Sequence, residues 1–227
     1  MGRKFLASEV DAVYNNDTMP VYPHRKRQSK EVFMGREFEL KYRASVEQID
    51  AIRTFYGDFT SISMETTYYD TPAGDFSRLR WTLRRRLENG RSVCTLKVPL
   101  RDGSRGEWET EKPSIEEGIE ELCKLSENAG FRTLCAGGLL PTCGARFTRL
   151  AKLLSPEGCT VELALDEGFL LGGENRLFFA EVEVEYKSGS ESAAAAFAAA
   201  LAKQFGLIPE PRSKIARAQA LLQTQET

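Results

Sequence analysis

The chain has 227 residues, 41% of them apolar, with 31 Lys+Arg against 33 Asp+Glu and a formal net charge of -2. That is enough for one domain with a sizeable core, too apolar for wholesale disorder, and too evenly charged for the basic surface of a nucleic-acid binder. With one histidine, His24, and five cysteines that form no CxxC pair, the composition argues against a His-based triad, a His-ligated metal and a zinc or disulfide framework, and leaves carboxylates, Lys and Arg to carry any chemistry.

Residues 1–32 read as a polar extension without periodicity. The basic stretch over 22–30 is either a solvated tail or one that binds anions or directs localisation. The first 17 residues lack the apolar core of a signal peptide, and no apolar run nears the ~20 residues that span a bilayer, so a cytoplasmic location away from membranes is expected. The folded domain is expected over 33–222, with a tail at 223–227.

From Glu37 the pattern alternates with period two. Strands are predicted at about 35–43, 62–70, 79–88, 91–98, 105–112, 145–154, 159–167 and 176–187. Asn89-Gly90 between two alternating runs marks a hairpin, and Asp102-Gly103 a second turn. Ser45-Val-Glu-Gln48 reads as a capping box opening a helix to about Tyr56. Ser114 opens another that Gly130 ends, the Ala-rich run from Ser192 to Phe205 a third that Gly206 closes, and Ser213 caps a last one through Leu222. Eight largely consecutive strands with short connections predict an eight-stranded antiparallel β-barrel with helices packed outside, an α+β fold.

Alternation segregates charge on these strands. Glu37, Glu39 and Lys41 share one face, Glu181, Glu183 and Glu185 another, Arg84 and Arg86 a third. Arg105, Glu107, Glu109 and Glu111 fall together, as do Glu162 and Asp166. One reading is an amphipathic sheet with a solvated polar face. The other turns the charged faces inward. Like charges two residues apart repel and call for counter-ions: divalent metals for the carboxylates, a polyanion for the arginines. Oxygen-only donors suit Mg²⁺ or Mn²⁺. Glu185 and Glu111 sit at strand ends, where solvation accounts for them equally well. Trp81 and Trp108 read as outer-face packing.

In order along the chain, Glu37-x-Glu39-x-Lys41, Tyr68-Tyr69-Asp70-Thr71-Pro72, Leu83-Arg84-Arg85-Arg86, Thr95-Leu96-Lys97, Arg105-Gly106-Glu107-Trp108-Glu109, Phe147-Thr148-Arg149, the acidic strands around Asp166 and Glu181–Glu185, and Ser213-Lys214-x-x-Arg217 resemble the blocks of the CYTH superfamily, the triphosphate tunnel metalloenzymes. The segment over 75–80 departs from the Leu-rich stretch of many relatives.

The resemblance covers about residues 35–220. It implies a charged tunnel in which Mg²⁺ or Mn²⁺, two ions in all, support hydrolysis of a triphosphate. By position it implies phosphate contacts from Lys41, Arg84, Arg86, Lys97, Arg105, Arg149 and Lys214. It implies metal ligation by Glu37, Glu39, Glu107, Glu109, Asp166, Glu181 and Glu183, with Glu37, Glu39, Lys41, Glu181 and Glu183 at the catalytic end. Inorganic triphosphate asks least of the tunnel and is the expected substrate. A class IV-type adenylate cyclase, a thiamine triphosphatase and a non-catalytic polyphosphate- or nucleotide-binding module are the alternatives. A homodimer is left open.

Overall fold

A computed structural model describes residues 38–100 and 105–222. The extension over 1–32, residues 35–37 of the first expected strand with Glu37, the Asp102-Gly103 turn and the tail at 223–227 lie outside the described residues.

The elements run β1 (Glu39–Arg43), α1 (Val46–Tyr56), β2 (Thr60–Asp70), α2 (Asp75–Leu79), β3 (Thr82–Glu88), β4 (Arg91–Pro99), β5 (Arg105–Glu111), α3 (Ile115–Leu125), α4 (Ala129–Cys135), β6 (Leu140–Leu154), β7 (Cys159–Gly172), β8 (Asn175–Gly189), α5 (Glu191–Phe205), β9 (Ile208–Pro209) and α6 (Lys214–Ala220). One antiparallel sheet takes all nine strands in the order β5-β4-β3-β2-β6-β7-β8-β1-β9. The eight long strands are those expected. The ladder itself is not closed: among the described residues β5 and β9 are its two ends. β9 pairs with Tyr42 and Arg43, and the Glu210 amide donates to the Lys41 carbonyl, so β1's outer edge is taken by this short segment rather than by β5.

Local chemistry explains most of the boundaries. Asn89 and Gly90 both take positive φ, 50° and 85°, as a two-residue hairpin turn matched to strand twist requires. The Ser45 hydroxyl accepts from the Gln48 amide while the Gln48 side chain accepts from the Ser45 amide, completing the capping box.

Two expectations fail locally. The strand expected from residue 79 starts only at Thr82, and residues 75–79 form α2, because the buried Asp70 carboxylate accepts from the amides of Thr71, Phe76 and Ser77 and from the Ser77 hydroxyl. Those bonds hold a helical turn that ends at Arg80, in the left-handed region at φ 58°. The helix expected to run to Gly130 breaks at 126–128, where Glu127 takes φ 50° and the Asn128 side chain caps α4 by accepting from the Phe131 amide. Gly130 is therefore the second residue of α4, not a stop.

Helices cover the sheet's outer face in two places. α1 and α5 pack on β1, β7 and β8 through Ile49, Ile52, Ala194, Ala198 and Leu201 against Val161, Leu163, Leu165, Val182 and Val184. α2, α3 and α4 pack on β3, β4 and β5 through Phe76, Ile115, Leu122 and Phe131 against Leu83, Leu96 and Trp108. Each fully buried Leu, Ile or Val contributes about 1.5–3 kcal/mol by leaving water. Among the described helices, α6 alone sits on the opposite, inner face, where Ala218 joins Met64, Phe147, Leu170 and Phe179. Gly172 permits this seat: a Cβ there would lie 2.5 Å from the Ala218 carbonyl oxygen.

Candidate functional site

Strand register decides which charges meet. On β3, Leu83 is buried in the outer core, so alternation turns Arg84 and Arg86 to the inner face. Register carries that face across Thr95 and Lys97 of β4 and Glu107 and Glu109 of β5. Lys97 Nζ lies 3.1 Å from Glu107, and Arg84 lies 3.9 Å from Glu107 and 3.6 Å from Glu109. The Thr95 hydroxyl donates to Glu109 over 2.9 Å, and Arg86 Nε donates to the Thr66 hydroxyl over 3.2 Å. Burial, followed by the nearby positive charges of Arg84 and Arg149, lowers the Arg86 pKa to about 10. Three guanidiniums therefore converge on one inner face, an arrangement that favours an anion between them.

The second group lies on β6, β7, β8 and α6. Arg149 makes a two-pronged contact with Asp166, both bonds 2.8 Å, and also reaches Glu183. Lys214 Nζ lies 2.9 Å from Asp166 and 2.6 Å from Glu183, and it donates to Glu181. Arg217 donates to the other oxygen of Glu181. Asp166, Glu181 and Glu183 are buried and can each bring an oxygen within 4.8 Å of the others. Burial pushes the Glu181 carboxyl up to about 7 against the pull of Lys214 and Arg217. Burial also opposes ionisation of Glu183, but Lys214 and Arg149 outweigh it and hold that carboxyl well below the usual range. Burial disfavours the Lys214 ammonium, but the same three carboxylates outweigh it and raise its pKa.

A third row crosses β1, β8 and β7 in register: Glu39 opposite Glu185, and Glu185 opposite Glu162. Lys41 Nζ is 3.7 Å from Glu39, while Lys187 Nζ is 2.8 Å from Glu185 and 3.7 Å from Glu162. Like charges directly opposite on one sheet face destabilise it unless a cation is shared among them.

The structure thus brings Arg149, Asp166, Glu181, Glu183 and Lys214 into one contact network and Arg84, Lys97, Glu107 and Glu109 into another, with Arg86 beside Arg84 on the inner face of β3 and Glu39 and Lys41 on the same face of β1. Arg105 stands apart from both networks: it is exposed at the start of β5 and donates to the Arg80 carbonyl over 2.9 Å. Glu37 lies outside the described residues. Sequence reasoning gave no role to Arg217, Glu162 or Glu185. The i, i+3 spacing of Lys214 and Arg217 was the signal for the first, and their shared strand faces the signal for the others.

The donors of all three groups are carboxylate oxygens, the set that hard divalent ions such as Mg²⁺ and Mn²⁺ take. The groups differ in compensation. Asp166, Glu181 and Glu183 already meet three cations, Arg149, Lys214 and Arg217. The β1–β8–β7 row lies beside Lys41 and Lys187.

Among the described residues no helix is long and apolar enough to cross a membrane. An inorganic triphosphatase from Haemophilus influenzae is 28% identical over 167 residues, which are 70% of this chain and 47% of the relative, so the chain spans about half of that relative's length. A Bacillus halodurans structure described as an adenylate cyclase candidate superposes with a TM-score of 0.58 at 22% identity, over 80% of this chain and 96% of the other. A Hippeastrum structure, described as an adenylyl cyclase candidate with a dominant triphosphatase activity, superposes with a TM-score of 0.58 at 20% identity, over 81% and 95%. These similarities place the sheet and its helices in the fold of those proteins. The sequence profile of the CYTH domain matches residues 35–218, and the chain belongs to that family.

Proposed function

We propose that this protein is a metal-dependent hydrolase of inorganic triphosphate. The observation that carries the reading is the convergence of Arg84, Arg86, Lys97, Arg149 and Lys214, from β3, β4, β6 and α6, on one sheet face that also carries carboxylates. Arginine forks suit phosphate oxygens because each can donate two parallel bonds. The activity of the Haemophilus relative supports the choice of substrate.

In this reading Arg84, Arg86, Lys97 and Arg149 bind and orient the phosphate chain, with Lys41 and Lys214 completing the cationic lining. Arg105 joins them only at the entrance, given its exposed place on β5. Glu107 and Glu109 would hold one divalent ion. Glu39, with Glu37 two residues before it in sequence and Glu185 and Glu162 in its row, would hold the other together with Glu183. Asp166 orients Arg149. Such ions, when bound, supply charge neutralisation on the phosphate and activate the attacking water. The protein's own part is positioning and electrostatic complementarity, as in other phosphoryl transfers. The free state of all five cysteines supports a reducing, cytoplasmic setting.

The test is phosphate release from inorganic triphosphate, ATP and thiamine triphosphate side by side, with Mg²⁺, Mn²⁺ or chelator, and with cyclic AMP assayed in the ATP reactions. Release that is metal-dependent and fastest from inorganic triphosphate is expected. Cyclic AMP with pyrophosphate would instead make the protein a cyclase. Faster release from thiamine triphosphate would move the specificity, and binding without turnover would leave a polyphosphate-binding module. Glu39→Gln is expected to abolish turnover while the circular dichroism spectrum is unchanged; full activity in that variant would remove Glu39 from the metal set.

A further inference from the structure

The carboxylate row of β1, β8 and β7 ends beside a β-bulge. Val161 pairs with Tyr186 and Thr160 with Ser188, so Lys187 is an extra residue of β8 that stands opposite no residue of β7. Bulges re-aim side chains and recur beside active sites. This one adds a cation to the charged face. The Tyr186 side chain packs with the outer core, and Lys187 points the other way, its Nζ 2.8 Å from Glu185 and 3.7 Å from Glu162.

Two lysines, Lys41 and Lys187, meet the carboxylates of this row, Glu39, Glu185 and Glu162. The two differ in their freedom. Lys41 stands within β1 with its side chain 21% exposed, whereas that of Lys187 is 34% exposed near the end of β8, where its ammonium can turn into water. Lysine carries a compact, strongly hydrated charge on a flexible stem, and a part-exposed ion pair is held weakly. Lys214, by contrast, is 8% exposed and touches three buried carboxylates, pairings that are costly to break.

We propose that Lys187 is the resident counter-ion of this row and sets the metal concentration at which the row fills. Its ammonium holds a cation's place beside Glu185 and Glu162, and it must leave their oxygens before these can ligate Mg²⁺ or Mn²⁺. Lys187 thus offsets the repulsion among the three carboxylates in the metal-free protein and, by competing for the same oxygens, weakens metal binding. The inference rests on the metal-dependent reading above and names the residue that tunes its metal requirement.

The experiment measures calorimetric binding of Mn²⁺ alone to wild type, Lys187→Gln, Lys187→Arg and Lys203→Gln, the last of which removes the same charge from the exposed side of α5. Lys187→Gln is expected to bind Mn²⁺ about fivefold or more tightly than wild type. Lys187→Arg should bind it no more tightly than wild type, and Lys203→Gln should stay within about twofold. In a Glu185→Gln background, Lys187→Gln should no longer tighten Mn²⁺ binding, because the oxygens it would release are gone. In the wild type, Mn²⁺ should raise the acetylation of Lys187 by acetic anhydride, read by mass spectrometry, as the displaced ammonium meets solvent.

Unchanged Mn²⁺ affinity in Lys187→Gln, an equal gain in Lys203→Gln, a gain that survives in the Glu185→Gln background, or acetylation of Lys187 that Mn²⁺ leaves unchanged would each overturn the counter-ion role. Should a variant fail to fold, the acetylation decides, since it uses wild-type protein alone. Wild-type protein that bound no Mn²⁺ would overturn the role as well. Protein that bound Mn²⁺ but released no phosphate from inorganic triphosphate would sink the functional reading, while the Mn²⁺ comparison would still judge Lys187.

Discussion

Arg86 shows how one residue reports on the whole inner face. It shares that face with Arg84 and Arg149, and burial followed by their repulsion lowers its pKa to about 10. A polyanion entering there relieves the repulsion, so the arginines act chiefly in binding. Arg84→Ala and Lys41→Ala are expected to raise the Michaelis constant for inorganic triphosphate about tenfold or more each, with a smaller change in turnover, because contacts present in both ground and transition states are lost. A normal Michaelis constant in both would remove them from the substrate's path. At this scale alternation along each strand was a good guide to the face: Arg84, Arg86, Lys97, Glu107 and Glu109 all share the inner face. Glu185 was ambiguous because a strand end reads alike whether solvated or buried, and only its register with Glu39 and Glu162 joins the three.

Among the elements, those with a chemical stop at each end were the most legible. α1 has its capping box and α5 ends at Gly206, left-handed at φ 68°. α2 was missed because what nucleates it is a tertiary feature, the buried Asp70 carboxylate gathering amides from residues 71, 76 and 77. α3 depends on a close approach that no periodicity reveals. Gly118 faces β4 so closely that an added Cβ would lie 2.6 Å from Cys94 Cβ and 2.5 Å from its sulfur. Gly118→Ala should therefore destabilise the protein by about 1–3 kcal/mol despite alanine's better helix propensity, because the helix must back away from the sheet. Chemical denaturation measures this, and a stabilised variant would show that α3 moves without cost.

For the whole molecule, the buried network makes stability depend on pH in both directions. Glu183 is held well below the ordinary carboxylate value of 4.5 by Lys214 and Arg149 in spite of burial. Its contribution is complete above that value and is lost as acid protonates it at its lower folded value. Glu181 is raised to about 7 by burial, so its contribution is complete below 4.5 and is lost as pH rises through about 7. Thermal unfolding in chelator should therefore show greatest stability under mildly acidic conditions, falling on both sides. Glu181→Gln, which cannot ionise, should flatten the fall toward neutral pH. An unchanged profile in that variant would show that Glu181 does not titrate there.

Composition and order already determined much by themselves. A chain with one histidine, no CxxC pair and same-sign charges segregated by strand face could do little chemistry except with carboxylates, Lys and Arg, and nine ordered blocks named the family. Period-two alternation also settled which side chains share a face, since that is a property of any extended backbone. What only the tertiary structure decided is which faces oppose which. Register set Glu39 against Glu185 and Arg149 against Asp166. β9 took the edge of β1, and α6, alone among the described helices, lay on the charged side. Those outcomes depend on contacts between residues far apart in the chain, such as Gly172 with Ala218 and Glu181 with Arg217. Their energies exist only once the sheet has formed, so no local pattern records them.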